Sequence, residues 1–247
     1  MSRATIAASP GSKARIAGAL YLVIMIAGAF GELRVRERLT VSGNAAATAQ
    51  NILAHELLYR AGFAGEVLML AVNVPLLVIF YDLFQPVSRS AARLLAAFGL
   101  TGTAIQGAIM LNHYTPLVVL NSGGAFGAFS SEQSEALAFL SLRLHGAGYS
   151  IALVFFGCYC LATGYAVFRS TFLPRAIGVL MTVAGVCYLT NSFAIFLSPA
   201  LADRLFPYIL MPCGIGEGSL TLWLLLMGVN TAKWEARAGR AVAPIPT

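Results

Sequence analysis

The sequence predicts an all-α, polytopic membrane protein built as a six-transmembrane-helix bundle. Of its 247 residues, 58% are hydrophobic and only 11% are charged, and the mean hydropathy is +0.78, whereas soluble domains carry about 25% charged residues. The apolar residues fall into six runs, each long enough for the roughly 20 residues of a helical span. These runs are apolar on all sides, unlike the short alternating segments of a membrane β-barrel.

The six predicted spans are separated by segments that contain charges, Gly or Pro. They run from Arg15 to Gly31, Leu58 to Leu83, Ala91 to Val119, Arg143 to Phe168, Leu173 to Ser198 and Phe206 to Val229. The predicted organisation is a cytoplasmic N-terminal tail (1–14), a single transmembrane domain (15–230) and a cytoplasmic C-terminal tail (231–247).

Two loops on the outer side predict amphipathic surface helices. Between spans one and two, Ser42 or Asn44 can cap a helix that ends near Glu56. Between spans three and four, Ser130-x-x-Gln133 has the spacing of a capping box for a helix through Leu142. Each helix is either a lid over the outer face of the protein or simply a solvated helix within its loop.

The charges are distributed as the positive-inside rule expects for a protein with both termini in the cytoplasm. Ten basic and two acidic residues fall on the side of the termini, and six basic and six acidic residues fall on the other side. The net charge of +6 therefore reflects topology in the plasma (inner) membrane and not a nucleic-acid partner. An alternative is that span one is a signal peptide cleaved after Ala27-Gly28-Ala29, which would leave five spans.

Two spans contain residues that interrupt helices. Pro75 lies inside span two, and span six carries prolines and glycines on both sides of Glu217. The outer part of span six is therefore either unwound, as in many transporter sites, or a kinked helix. In spans four and five, two glycine pairs spaced by seven residues predict tight helix packing: Gly157 with Gly164, and Gly178 with Gly185.

Polar residues inside five spans suggest a pocket in the outer half of the membrane. Glu66 and Glu217 are the two acids placed within apolar stretches, where an unpartnered charge costs about 3 kcal/mol or more. We expect them to face one shared pocket, with at least one protonated unless a cation accompanies it. The predicted ligand-binding residues are Glu66, Asn73, Gln106, His113, His145, Asn191 and Glu217.

The three histidines, His55, His113 and His145, are all predicted on or near the outer face, where Glu56, Glu66 or Glu217 could complete a metal site. No HExxH or comparable spacing connects them, so we expect neither a metal nor another cofactor. The four cysteines, Cys158, Cys160, Cys187 and Cys213, all fall within spans and are expected to pack as small apolar residues.

Spans four to six also carry a dispersed pattern of Gly, Pro, Arg and aromatic residues. It comprises His145-x-x-Gly148-Tyr149, Phe156-Gly157, Gly164-Tyr165, Arg169-Ser170, Pro174-Arg175-x-x-Gly178, Gly216-Glu217 and Trp223-Leu224-Leu225. This pattern resembles a family of bacterial integral membrane proteins, the domain of unknown function 4386, and the resemblance extends upstream through residues 15–86. It implies six helices in the plasma membrane and assigns no activity, cofactor or site.

Three functions remain open at this stage. The first is a carrier or receptor for a small solute or a lipid-like ligand. The second is a membrane-embedded, hydrolase-type enzyme that uses a Glu/His site. The third is a regulatory or structural membrane subunit. The lipid bilayer is an expected partner in every case, and the sequence leaves the oligomeric state open.

The charge distribution makes a testable prediction about topology. Most of the basic residues lie on the side of the termini, so the C-terminus is expected in the cytoplasm. A cytoplasmic reporter fused after Thr247 should therefore be active, and a periplasmic reporter at the same place should be inactive. Paired alkaline phosphatase and fluorescent-protein fusions measure this directly. Activity of the periplasmic reporter would contradict the six-span topology.

Overall fold

The computed structural model describes residues 9–121 and 128–242. Within these residues the chain forms helices and no strand. The helices are α1 (Pro10–Leu39), α2 (Ala45–Ala54), α3 (Glu56–Phe84), α4 (Arg89–Asn121), α5 (Ser131–Arg169), α6 (Arg175–Leu197), α7 (Pro199–Leu205), α8 (Met211–Leu226) and α9 (Thr231–Val242).

Among the described residues, six helical segments are long and apolar enough to cross a membrane, in agreement with the predicted number of spans. They are α1, α3, α4, α5, α6 and the segment Tyr208–Leu226, which joins a short 3₁₀ turn to α8. The protein is therefore a multi-pass membrane protein with an all-α fold.

The two helix caps predicted on the outer side, at Asn44 and at Ser130, both form in the structure. At α2 the side chain of Asn44 accepts a hydrogen bond from the Ala47 N–H at 2.9 Å. At α5 the Ser130 N–H donates to Gln133 Oε1 at 2.8 Å, and the Gln133 N–H donates to Ser130 Oγ at 3.2 Å, as in a capping box. The helix that starts there does not end near Leu142, however, and runs without a break to Arg169.

The first helix also differs from its predicted end. It continues eight residues beyond Gly31 to Leu39, and its segment Phe30–Arg36 is π-helical. A π-helix has more residues per turn than an α-helix, so it changes the direction of the side chains that follow it. Arg34 and Arg36, which lie beyond the predicted end of span one, are therefore helical in the structure.

The glycine-rich part of span six is helical in the structure. Pro212 lies in the first turn of α8, where a missing N–H costs nothing, and the helix continues through Glu217 to Leu226. The alternative of an unwound segment around Glu217 is therefore wrong. The continuous helix places Cys213, Glu217 and Leu220 one turn apart along one side.

The described residues divide into two compact units. The first unit comprises residues 9–22, 74–100 and 153–242, and its core includes Phe80, Phe84, Met181, Leu220 and Leu224. Within it, the Trp234 indole N–H of α9 donates to the Leu83 carbonyl oxygen at 2.9 Å, which holds the C-terminal helix against α3.

The second unit comprises residues 23–73, 101–121 and 128–152. Its hydrophobic cluster consists of Val35, Leu39, Ile52, Tyr59 and Leu117. Two members of this cluster, Val35 and Leu39, belong to the part of α1 that extends beyond the predicted end of span one. Their burial explains why the helix continues there, because a helical backbone keeps both side chains on the buried side.

The predicted close packing of spans four and five is confirmed within the first unit. A Cβ atom on Gly164 would lie 2.8 Å from the carbonyl oxygen of Gly178, and one on Gly178 would lie 2.6 Å from the backbone nitrogen of Phe168. Likewise, a Cβ on Gly185 would lie 2.7 Å from the carbonyl oxygen of Gly157. Helices α5 and α6 therefore approach through backbone contact at both glycine pairs.

This contact predicts a specific intolerance to side chains. Gly178→Ala is expected to destabilise the protein by about 1–3 kcal/mol, because the new methyl group would displace the backbone of α5. Gly214→Ala is the matched control, since a Cβ there would have no atom within 4 Å. Thermal unfolding of both variants in detergent measures the difference. Equal unfolding temperatures would show that the helices do not pack through these glycines.

Candidate functional site

The second unit contains a buried cluster of charged and polar side chains from four helices. It consists of Arg36 from α1, Glu66 from α3, His113 from α4 and His145 from α5. Glu66, His113 and His145 are 4%, 2% and 1% exposed. The side chain of Arg36 is 23% exposed, so it is the member that reaches the surface.

Glu66 is the centre of this cluster because both of its carboxylate oxygens have a partner. Arg36 Nη2 donates to Oε1 at 2.9 Å, and His113 Nδ1 lies 3.0 Å from Oε2. A carboxylate paired with a guanidinium accepts hydrogen bonds and does not donate them, so Nδ1 of His113 carries the proton of that bond. The bond leaves Nε2 of His113 as the ring atom available for a further partner.

His145 bonds through both of its ring nitrogens. Nδ1 lies 3.2 Å from the carbonyl oxygen of Ile109, and Nε2 lies 3.1 Å from Arg36 Nη2. A backbone carbonyl only accepts hydrogen bonds and a guanidinium only donates them. His145 is therefore neutral, with its proton on Nδ1 and its lone pair on Nε2 directed at Arg36.

The π-helical segment of α1 brings Arg36 to this site. Arg36 Nη1 also pairs with Glu32, one turn earlier on the same helix, and the guanidinium lies 5.7 Å from the centre of the Tyr149 ring. Arg36 therefore links an acid near the surface to the buried Glu66. π-helical turns are frequent at functional sites.

Two neighbouring residues make room for the cluster and support it. A Cβ on Gly31 would lie 2.9 Å from Glu66 Oε1, so a side chain at this position would push the carboxylate away. The Tyr59 hydroxyl donates to the carbonyl oxygen of His113 at 2.5 Å, and its ring packs edge-on against the His113 ring with centroids 4.9 Å apart. The two histidine rings have centroids 5.0 Å apart.

The donor atoms of Glu66, His113 and His145 all lie within 4.8 Å of one another. Carboxylate oxygens and imidazole nitrogens are typical ligands of transition metals. These three residues are thus the part of the cluster that could hold a metal ion. His55, the third histidine, is exposed, and its Nδ1 lies 3.1 Å from the carbonyl oxygen of Asn51 in α2, the helix that ends just before it.

Within the described residues, no hydrogen bond or ion pair joins the other predicted site residues to this cluster. In the second unit, Asn73 Nδ2 donates to Thr103 Oγ1 at 2.6 Å, and Gln106 is buried. Asn191 is buried in the first unit. The structure therefore brings together three of the seven predicted residues: Glu66, His113 and His145.

Glu217 belongs to the first unit and has neutral partners. The Tyr188 hydroxyl donates to Oε2 at 3.2 Å, and Cys160 Sγ lies 3.7 Å from Oε1. Cys160, expected to be a packing residue only, is thus also a weak hydrogen-bond donor. Each glutamate has its own set of partners within its own unit, and the pocket shared by both stays a prediction.

Arg36, the cation that partners Glu66, was not among the residues predicted for the site. One signal was present: Glu32 and Arg36 have the i, i+4 spacing of a helical ion pair. That spacing has a meaning only if span one continues as a helix past Gly31, which the fall in hydropathy argued against.

The model of a protein family described as a domain of unknown function (DUF4386) matches residues 16–228. The chain belongs to the DUF4386 family. The match includes the charged cluster of the second unit and Glu217 of the first unit, and it confirms the resemblance found in the sequence.

A second comparison identifies a distant relative of this DUF4386 protein. A protein of Archaeoglobus fulgidus described as an uncharacterized protein is 21% identical over 164 residues, which cover 66% of this chain and 82% of the relative. No solved structure matches the chain at a significant level.

The arrangement around Glu66 predicts a large effect of removing its charge. Glu66→Gln is expected to destabilise the protein by about 3 kcal/mol, because breaking a buried ion pair leaves Arg36 without its buried partner. Glu56→Gln is the matched control in the same helix, since Glu56 pairs with Arg60 in an exposed i, i+4 pair and should have little effect. Thermal unfolding in detergent compares the two. Similar, small shifts for both variants would contradict the role assigned to the Glu66 pair.

Proposed function

We propose that this protein binds a small solute or a lipid-like ligand at the charged cluster formed by Arg36, Glu66, His113 and His145. One observation carries the proposal: Glu66, His113 and His145 form a connected network with Arg36 while being 4% exposed or less. Apolar residues of similar size would often stabilise such an interior as well or better. Buried ionisable groups in membrane helices accordingly mark functional sites.

The chemistry of the cluster indicates what a ligand would need. Arg36 offers a guanidinium to an anionic group, and Glu66 offers a carboxylate to a cationic group or a hydrogen-bond donor. A ligand that binds must replace one of the hydrogen bonds within the network, so it needs a polar or charged head group. Arg36 is the point of access because its side chain is the most exposed of the four.

A membrane-embedded enzyme is a second candidate, and the His113–Glu66 contact favours it. A carboxylate that holds Nδ1–H of a histidine leaves the Nε2 lone pair free to take a proton from water or from a hydroxyl group. An enzyme of this kind would convert a bound ligand, whereas a carrier or receptor would release it unchanged.

Native mass spectrometry of the protein released from detergent tests the binding proposal. We expect the wild-type protein to retain a bound small molecule that Glu66→Gln loses, because the head group would interact with the network around Glu66. Glu56→Gln is the control and should retain the molecule, since Glu56 pairs with Arg60 outside the cluster.

The alternatives give different mass spectra. Identical bound masses in wild type and Glu66→Gln would overturn the proposed site. Recovery of a cleaved form of the bound molecule would favour the enzyme. A second polypeptide that is retained in place of a small molecule would instead favour a regulatory or structural subunit.

A further inference from the structure

Three potential metal ligands converge in the second unit although no sequence motif connects them. Glu66, His113 and His145 come from α3, α4 and α5, and their donor atoms lie within 4.8 Å of one another. Metal sites in helical bundles are commonly built from side chains that project inward from facing helices. The absence of a ligand spacing within one segment predicted no metal, but a site built from several helices does not need such a spacing.

We propose that Glu66, His113 and His145 hold a divalent transition-metal ion, with Zn²⁺ as the first candidate. This inference rests on the proposed function, because it assigns a cofactor to the same cluster. Two imidazoles and one carboxylate are the ligand set of several catalytic zinc sites, which leave one coordination position for water or substrate. The same set also suits Fe²⁺.

The surroundings of His145 provide independent support. A histidine that binds a metal through one ring nitrogen usually donates the N–H of the other to a carbonyl or carboxylate, which sets its tautomer and orientation. His145 has this arrangement: Nδ1 contacts the carbonyl oxygen of Ile109 at 3.2 Å, and the lone pair on Nε2 points into the cluster. Nε2 is therefore already prepared to bind a cation.

Arg36 indicates where such a cation would lie. Its Nη2 atom is 2.9 Å from Glu66 Oε1 and 3.1 Å from His145 Nε2, so both acceptors already point at one positively charged group. A metal ion in this place would sit about 2.0–2.2 Å from each ligand, so the side chains would need to close by roughly 1 Å around it. His113 would bind through Nδ1, the ring nitrogen that faces Glu66 at 3.0 Å, and its proton would move to Nε2, because a metal ligand must be deprotonated.

Binding of the metal would displace Arg36 from Glu66 and His145. Arg36 has a second acid to retain, because Nη1 also pairs with Glu32, whose side chain is 42% exposed. A divalent ion beside Arg36 would leave this part of the cluster positively charged. The site should thus prefer an anionic fourth ligand, such as hydroxide or the acidic head group of a bound molecule.

Metal content of the purified protein tests this inference. The protein is purified with an affinity tag that contains no histidine, so that the tag binds no metal. It is then incubated with Zn²⁺ and exchanged into metal-free buffer, and its metal content is measured by elemental mass spectrometry. Wild type is expected to retain about one equivalent of metal, as for a site with three protein ligands. His145→Gln and Glu66→Gln are expected to lower the affinity by at least roughly tenfold, since each removes one ligand.

His55→Gln is the matched control, because His55 belongs to the same unit but is exposed and lies outside the cluster. It should retain the metal as wild type does. Loss of metal from His55→Gln, or a trace content in wild type after loading, would overturn the inference. Circular dichroism and size-exclusion chromatography identify any variant that has lost its fold.

Arg36→Gln provides a second test, which applies even if the variants that lack a metal ligand unfold, because it leaves all three ligands in place. Removing the competing guanidinium should leave Zn²⁺ binding intact or strengthen it severalfold, and Zn²⁺ should raise the unfolding temperature more than in wild type. Without metal, Arg36→Gln is expected to be less stable than wild type, because Glu66 loses its cation. If Zn²⁺ does not restore the stability of this variant, Arg36 is the permanent cation of the cluster and the inference is overturned.

The two proposals for this cluster fail in different ways. A small molecule retained in native mass spectra with metal only at trace level would leave the ligand site standing and overturn the metal. One equivalent of metal with identical small-molecule masses in wild type and Glu66→Gln would establish the metal and overturn the ligand site.

Discussion

The second unit of this protein depends on one interaction, the ion pair between Arg36 and Glu66. Its partners are separated by 30 residues along the chain and by 2.9 Å in space. The pair requires α1 to continue past the apolar stretch, the π-helical segment to direct Arg36 at Glu66, and Gly31 to leave room for the carboxylate. The same carboxylate orients His113, and the same guanidinium contacts His145. Because a buried charge without a partner is costly, the loss of any one of these features is expected to destabilise the others.

The two glutamates that lie within apolar helices are stabilised in different ways. Glu66 is compensated by a cation and a histidine, whereas Glu217 is surrounded by hydroxyl and thiol donors. A charged partner stabilises the ionised carboxylate, while neutral donors suit either protonation state. Charge therefore concentrates around Glu66, together with the ligand types that bind metals and head groups. For this reason the functional proposals concern the second unit and not the surroundings of Glu217.

The number, type and approximate location of the spans could be predicted because hydropathy is a local property. A run of about 20 apolar residues has few alternatives to a membrane helix, and the caps at Asn44 and Ser130 depend on residues only three positions apart. The spacing of Gly164 and Gly178 on their helices likewise indicated a contact surface, since small residues let backbones approach. Predictions failed at the helix ends: α1 and α5 extend into charged segments whose residues find partners or burial elsewhere in the fold.

The sequence by itself determined the class of this protein, its six spans and three residues of the candidate site, because an ionisable side chain is conspicuous among apolar neighbours. Only the tertiary structure decided which of the polar residues meet. Glu66, His113 and His145 come from separate helices, and their convergence depends on how those helices pack, which no spacing within one segment encodes. The role of Arg36 required the same information, since an arginine beyond an apolar run resembles a loop residue until a buried carboxylate is found beside it.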